Sequence, residues 1–222
     1  MFSSLFKKNN SQSDNNIINK DITIILDNGH GKNTSGKHSP KQDDGTIFYE
    51  WEFNRDIVKR VAEQLTSFGI KCEILVPEDT DISLTERCRR ANRIYSKVNK
   101  RAFLISVHAN AAGNDGKWHD GKGWEVWTSV GQTKSDEIAS IFWNEMKDEF
   151  PTSKMRMDMS DGDVDKEKNF TILYNTKCPA ILLENFFYDN KEECKLLSSN
   201  FGRTKIATAI VRAIKKTLMK LY

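Results

Sequence analysis

Short apolar runs alternate with helical stripes from about Ile22 to the end of the chain. Ile22-Thr-Ile-Ile-Leu-Asp27, Phe103-Leu-Ile-Ser-Val107 and Ala180-Ile-Leu-Leu183 are nearly continuous apolar segments of strand length. Cys72-Glu-Ile-Leu-Val76, stopped by Pro77, and Trp124-Glu-Val-Trp-Thr128 read as two more strands, and another is expected near Phe170–Tyr174. Phe53, Ile57, Val61, Leu65 and Phe68 recur at helical spacing, which predicts a helix over 49–68 with Gly69 as its terminator. Ser83-Leu-Thr-Glu86 has the spacing of a capping box and starts a helix to about Val98. Thr133-Lys-Ser-Asp136 starts the next, with Ile138, Ile141, Phe142 and Met146 on one face. Asp189, with Glu192 three positions on, is read as the cap of a short helix, and a final helix is expected from about Arg203 to Leu221.

Strands alternating with helices predict a single α/β domain over 21–222, a mostly parallel or mixed central β-sheet with helices on both faces. Residues 1–20 are too polar to bury much and are expected to form a flexible tail. Two stretches interrupt the alternation. Residues 29–45 are rich in Gly, Lys, Ser and Asp and long for a connection inside a domain, a length that signals function or disorder. Residues 151–168 are charged and dotted with Met, and are expected to form a mobile loop.

Composition narrows the function classes. The 222 residues suit one domain, and 38% hydrophobic content supplies a core. Lys+Arg 34 against Asp+Glu 31 leaves a net charge of only +3 with no long basic stripe, so no nucleic-acid partner is expected. No apolar run is long enough to span a bilayer. Cys72, Cys88, Cys178 and Cys194 are widely spaced with no CxxC pair, and read as reduced, mostly buried thiols. If Met1 is the native start, the first residues lack the apolar stretch of a signal peptide.

The strand ends add chemistry. The first runs into Asn28-Gly-His30-Gly31, the second ends on His108-Ala-Asn110 and the third on Glu184-Asn185. Ligands of an open α/β sheet bind outside the carboxyl ends of its strands. Parallel strands therefore bring two imidazoles and a carboxylate to one edge, the ligand chemistry of a hydrolytic zinc site. Gly29 and Gly31 let the backbone turn sharply around His30. Asn110 points the same way as His108 if the strand continues, and is a candidate for binding substrate.

A catalytic zinc needs three protein ligands and one open position. Glu50, four residues before Asn54 at a helix start, is the best candidate for the third ligand, with Glu52 its local rival. One residue turns a helical side chain by about 100°, so only one of them faces the site. Glu184 follows four apolar residues, and desolvation raises a carboxyl pKa toward what a general base requires. His38 and His119 lie in polar loops and read as surface histidines. Trp118, Trp124 and Trp127 are candidates for a sugar or peptide groove, with core packing at least as good a reading of the last two. Trp51 and Trp143 read as helix-face packing.

Leu26-Asp-Asn-Gly-His-Gly31, Glu50-x-x-x-Asn54, Ser106-Val-His-Ala-Asn110 and Leu183-Glu-Asn-Phe-Phe-Tyr-Asp-Asn190 together resemble the zinc-dependent N-acetylmuramoyl-L-alanine amidases of the type called amidase 3, in order and over nearly the whole domain. Leu84-Thr-Glu-Arg87 with Ala91-Asn92 is similar to the segment those enzymes carry between their second and third ligands. The resemblance implies Zn2+ held by His30, Glu50 and His108, which chooses Glu50 over Glu52, and Glu184 as the catalytic carboxylate. It implies bacterial peptidoglycan as substrate, cut at the amide between N-acetylmuramic acid and L-alanine of the stem peptide. The commoner pattern has a Gly within two residues of the catalytic Glu. Asn185-Phe186-Phe187 stands here instead, which looks more like phage or prophage lysins. Such proteins are made in the bacterial cytoplasm and reach the wall through a holin lesion, in keeping with the missing signal peptide. Two rival readings are a zinc peptidase or carboxypeptidase acting within the stem peptide, and a wall-binding module whose site has decayed. The complete set of two His and two Glu speaks against the second.

Overall fold

The computed structural model describes residues 18–222, so most of the expected tail lies outside the described residues. Along the described chain run β1 (Thr23–Asn28), α1 (Glu50–Ser67), β2 (Cys72–Ile74), α2 (Leu84–Lys97), β3 (Ala102–Asn110), β4 (Glu125–Thr128), α3 (Lys134–Glu149), β5 (Lys166–Glu167), α4 (Thr171–Tyr174), β6 (Ala180–Phe187), α5 (Lys191–Ser198) and α6 (Asn200–Lys220). The strands form one mixed sheet in the order β2-β1-β3-β6-β4-β5. β2, β1, β3 and β6 are mutually parallel, while β4 runs antiparallel to β6 and carries β5 parallel to itself.

The continuous apolar runs follow from cover on both faces. Ile24, Leu26, Phe103, Ile105, Ile181 and Leu183 point to a large core shared with α1, α3 and α6. Ile25, Leu104 and Leu182 point to the other face, where Ala91 of α2 and Ile172 and Leu173 of α4 meet them. Each such buried side chain contributes about 1.5–3 kcal/mol of apolar transfer. Cys72 is half-buried, Cys88, Cys178 and Cys194 are buried, and all four are free thiols.

The local signals differ from the structure in four places. Residues 171–174 form a helical turn rather than a strand, because Ile172 and Leu173 both pack against the α2 side. A short apolar run does not distinguish the two by periodicity. Asn190, not Asp189, caps α5, accepting from the backbone of Glu192 and Glu193, while Asp189 accepts from Ala112 N and Gly113 N. Ser83 does cap α2, accepting from Glu86 N, but the Glu86 carboxylate turns to Arg89 and Arg90 instead of closing a box. Finally, 151–168 is tied into the sheet: Lys166 and Glu167 pair with β4, and Asp165 is buried.

β6 runs past Leu183 to Phe187 by means of a bulge. Its pairing with β3 goes from His108–Glu184 to Asn110–Phe187, inserting one extra residue on β6. Phe186 takes φ +62° there, in the left-handed region that favours glycine, and its ring is buried against Phe150 at 5.1 Å.

Candidate metal centre

His30 lies just past the carboxyl end of β1. Its own φ is +61°, so the histidine makes the left-handed turn and its glycine neighbours do not. Gly29 is required for space: a Cβ there would stand 2.1 Å from His108 Cε1. Two guanidinium groups hold the turn. Arg55 donates to His30 O at 3.0 Å and Arg87 to the same oxygen at 3.1 Å. Arg87 is buried, and also donates to Asp27 Oδ1 at 2.6 Å and Asn28 O at 2.8 Å. Ser106 Oγ donates to the other Asp27 oxygen at 2.6 Å. This fully bonded ion pair locks the ends of β1 and β3 under the site. Neither arginine was singled out for a role in sequence; the available signal was Asp27, a carboxylate closing a buried strand, which requires a partner.

Glu50, the first residue of α1, is buried, whereas Glu52 is exposed. Its Oε1 lies 3.1 Å from His108 Nδ1 and 3.4 Å from His30 Nε2, and accepts from Ala109 N at 3.2 Å. Asn54, one turn later on the same face, donates to Gly29 O at 3.0 Å and so registers α1 against the end of β1. One donor atom from each of His30, Glu50 and His108 lies within 4.8 Å of the other two. Glu50 Oε2 is buried without a hydrogen-bond partner among the described residues. Burial pushes the Glu50 carboxyl up, but hydrogen bonds and charge from His108 and His30 outweigh it and hold the group ionised. Two imidazoles, one carboxylate and an orphaned buried oxygen fit a zinc-class ion.

The centre opens into a cavity of about 690 Å³, also lined by Lys37, Asn110, Glu184 and Tyr188. Ser35, Gly36 and Lys37 bring part of the 29–45 loop to its wall. Glu184, partly accessible, sits opposite His108 on one side and Glu125 on the other. Its Oε2 is enclosed and has no partner among the described residues. Burial, then the charges of Glu50 and Glu125, push its carboxyl well above the usual range.

Glu125, which sequence reasoning did not single out, is also buried but fully bonded. It accepts from Asn110 Nδ2 at 2.9 Å, Trp127 Nε1 at 3.1 Å, Lys166 Nζ at 2.8 Å, and Arg156 Nε. Asn110 therefore reaches the cavity with its amide already oriented. Asn185 bridges the strands by donating to His108 O at 2.8 Å and accepting from Trp124 Nε1 at 2.9 Å. Trp124 is thus core, and neither it nor Trp118 or Trp127 lines the cavity. His38 and His119 stay outside it, on Ser39 O and Asp115. Trp143 packs on α3 with its Nε1 donating to Arg156 O, and Trp51 is half-buried beneath Arg55.

Comparison with known proteins gives a consistent picture. A family model described as N-acetylmuramoyl-L-alanine amidase matches residues 24–216. The chain is 29% identical over 196 residues to an endolysin of Bacillus phage SPP1, covering 88% of this chain and 65% of the endolysin. It is 28% identical over 188 residues to the N-acetylmuramoyl-L-alanine amidase LytC of Bacillus subtilis, covering 85% of this chain and 34% of LytC. It thus spans just under two thirds of one curated relative and about a third of the other. Among solved structures, an N-acetylmuramoyl-L-alanine amidase from Clostridium difficile 630 superposes with TM-score 0.74 at 25% identity, covering 92% of this chain and all of that one.

Proposed function

The chain belongs to the N-acetylmuramoyl-L-alanine amidase family, and on that premise we propose that it hydrolyses the amide between N-acetylmuramic acid and the L-alanine of the peptidoglycan stem peptide, as a phage or prophage lysin. The observation that carries this reading is the convergence of His30, Glu50 and His108 on one point beside Glu184. The likeness to a phage endolysin supports the biological setting, with release to the wall at lysis. No helix among the described residues is long and apolar enough to cross a membrane.

His30, Glu50 and His108 would hold the zinc ion. Bound there, zinc supplies Lewis acidity, polarising the lactyl carbonyl and lowering the pKa of water. The chain's own groups do the rest. Ala109 N and Asn54 keep the Glu50 carboxylate and the β1 turn in register. Arg55 and Arg87 hold the His30 backbone so that its Nε2 faces the centre. Glu184 takes the proton of the attacking water on a carboxylate oxygen and returns it to the leaving L-alanine nitrogen. Its raised proton affinity suits both halves of that transfer.

The test is digestion of purified sacculi, with mass spectrometry of the released muropeptides. New L-alanine amines with free muramyl lactyl groups are expected. Chelation should abolish release and zinc should restore it, and His108→Ala should lower the metal content per chain. Cleavage inside the stem peptide would assign a peptidase instead, and metal-independent release would remove zinc from the site.

A further inference from the structure

Tyr188 lines the cavity together with Glu50 and Glu184, and the mechanism above leaves it unused. It follows β6 directly, four residues after Glu184, and is 4% exposed. Its ring stacks on Phe48, with centroids 5.8 Å apart and planes inclined by 24°. Its backbone N donates to Asn110 O at 2.9 Å. Stacking and backbone bond together hold the phenol at the cavity wall. Burial, then the charges of Glu50, Asp189 and Glu184, push its phenol up, and its hydroxyl makes no hydrogen bond to a described residue. The Tyr188 oxygen is not among the enclosed, unpartnered polar atoms, so the hydroxyl opens onto the cavity that the residue lines.

A phenol titrates near pH ~10, so at neutral pH it is a hydrogen-bond donor and not a base. The metal ligands occupy one side of the space and Glu184 handles the moving proton on another. With the Glu50 oxygens assigned to the metal and Glu184 to the moving proton, the substrate acceptor for a neutral donor at this wall is the acyl oxygen, on which negative charge builds during attack.

We propose that Tyr188 is a catalytic residue whose hydroxyl donates a hydrogen bond to the acyl oxygen of the scissile amide, adding a protein donor to the polarisation of that group. The inference rests on the amidase reading. The bulge at Phe186 explains how a residue so close to Glu184 reaches the site from the α1 side. The extra residue takes Phe186 and Tyr188 into the core beneath α1, while Glu184 points to the cavity from the opposite face of the sheet.

Tyr188→Phe keeps the stacked ring and removes only the O–H. Loss of one oxyanion donor costs about 10²–10³ in kcat. The expected result with soluble muropeptide is a kcat lower by about two orders of magnitude, with KM within about twofold, and with unchanged melting temperature and zinc content. A second readout uses the Glu184→Gln background. There, binding of muramyl dipeptide by calorimetry should weaken by less than tenfold on adding Tyr188→Phe, because a donor to developing charge acts mainly in the transition state. An unchanged kcat overturns the proposal while leaving the amidase reading standing. A deficit that tracks lost zinc or a lower melting temperature also overturns it, since Tyr188 would then act through Glu50 or the fold. If the wild type cuts a different amide, the amidase reading falls, and a kcat deficit of Tyr188→Phe on that bond still supports the donor role.

Discussion

Glu184 and Glu125 stand directly opposite each other on β6 and β4, share one chemistry, and are driven in opposite directions. Both lose solvation. Glu125 receives four donors, two of them cationic, and its carboxyl is held below the usual range despite burial. Among the described residues Glu184 receives no cation within hydrogen-bond reach, and burial with the charges of two other carboxylates pushes it up. Burial alone does not create an acid–base residue. The absence of compensating partners does, and the neighbour that is compensated adds its own charge to the effect.

The comparison breaks most visibly at Glu184. Glu184→Gln should lower turnover by about 10²–10⁴-fold, the span of a general acid–base contribution. Its melting temperature should hold or rise, since an uncompensated carboxylate is removed, and zinc content should be retained. Wild-type lysis by that variant would end its assigned role. Glu125→Gln should do the reverse, costing about 1–3 kcal/mol in urea unfolding, because Arg156 and Lys166 lose their shared partner. Its turnover should fall by less than tenfold, through a looser Asn110.

Acid separates Glu125 further. Its folded pKa is depressed, so its contribution to stability is present above the unfolded carboxyl pKa of about 4.3 and is lost as pH falls through the folded value. Wild-type stability should drop below about pH 4 more steeply than that of Glu125→Gln in parallel thermal melts. Asp165 gives the smallest and opposite effect. Buried against the Asp163 carboxyl, it is pushed up to about 7. Its contribution is therefore complete below an unfolded pKa of about 3.9 and is lost as pH rises through about 7. Asp165→Asn should flatten the decline in melting temperature between pH 5 and 8; equal slopes in both proteins would show that Asp165 does not set it.

Much of the fold and part of the site were legible in the residues. His30, His108 and Glu184 stood out because polar groups closed runs that are apolar through burial on both faces. Helical rotation meant that only one of Glu50 and Glu52 could face the site, and the family resemblance chose Glu50. The structure adds a physical reason for the spacing to Asn54, which anchors α1 on Gly29 O. What escaped depended on distant segments. Arg156 and Lys166 reach Glu125 from 31 and 41 residues away. The α4 turn could not be told from a strand, because four apolar-flanked residues carry too little periodicity. Phe186 was noted only as a departure from a common glycine; its buried ring now occupies a backbone conformation that glycine adopts without strain.

The sequence by itself determined which side chains reach the edge of the sheet, since the periods of strand and helix are local properties of the chain. Only the tertiary structure decided which buried carboxylate is neutralised by cations, which is left without them, and that Tyr188 lines the cavity. Those outcomes depend on distances between groups far apart in the chain, and on a single inserted residue in β6 that redirects every side chain after it.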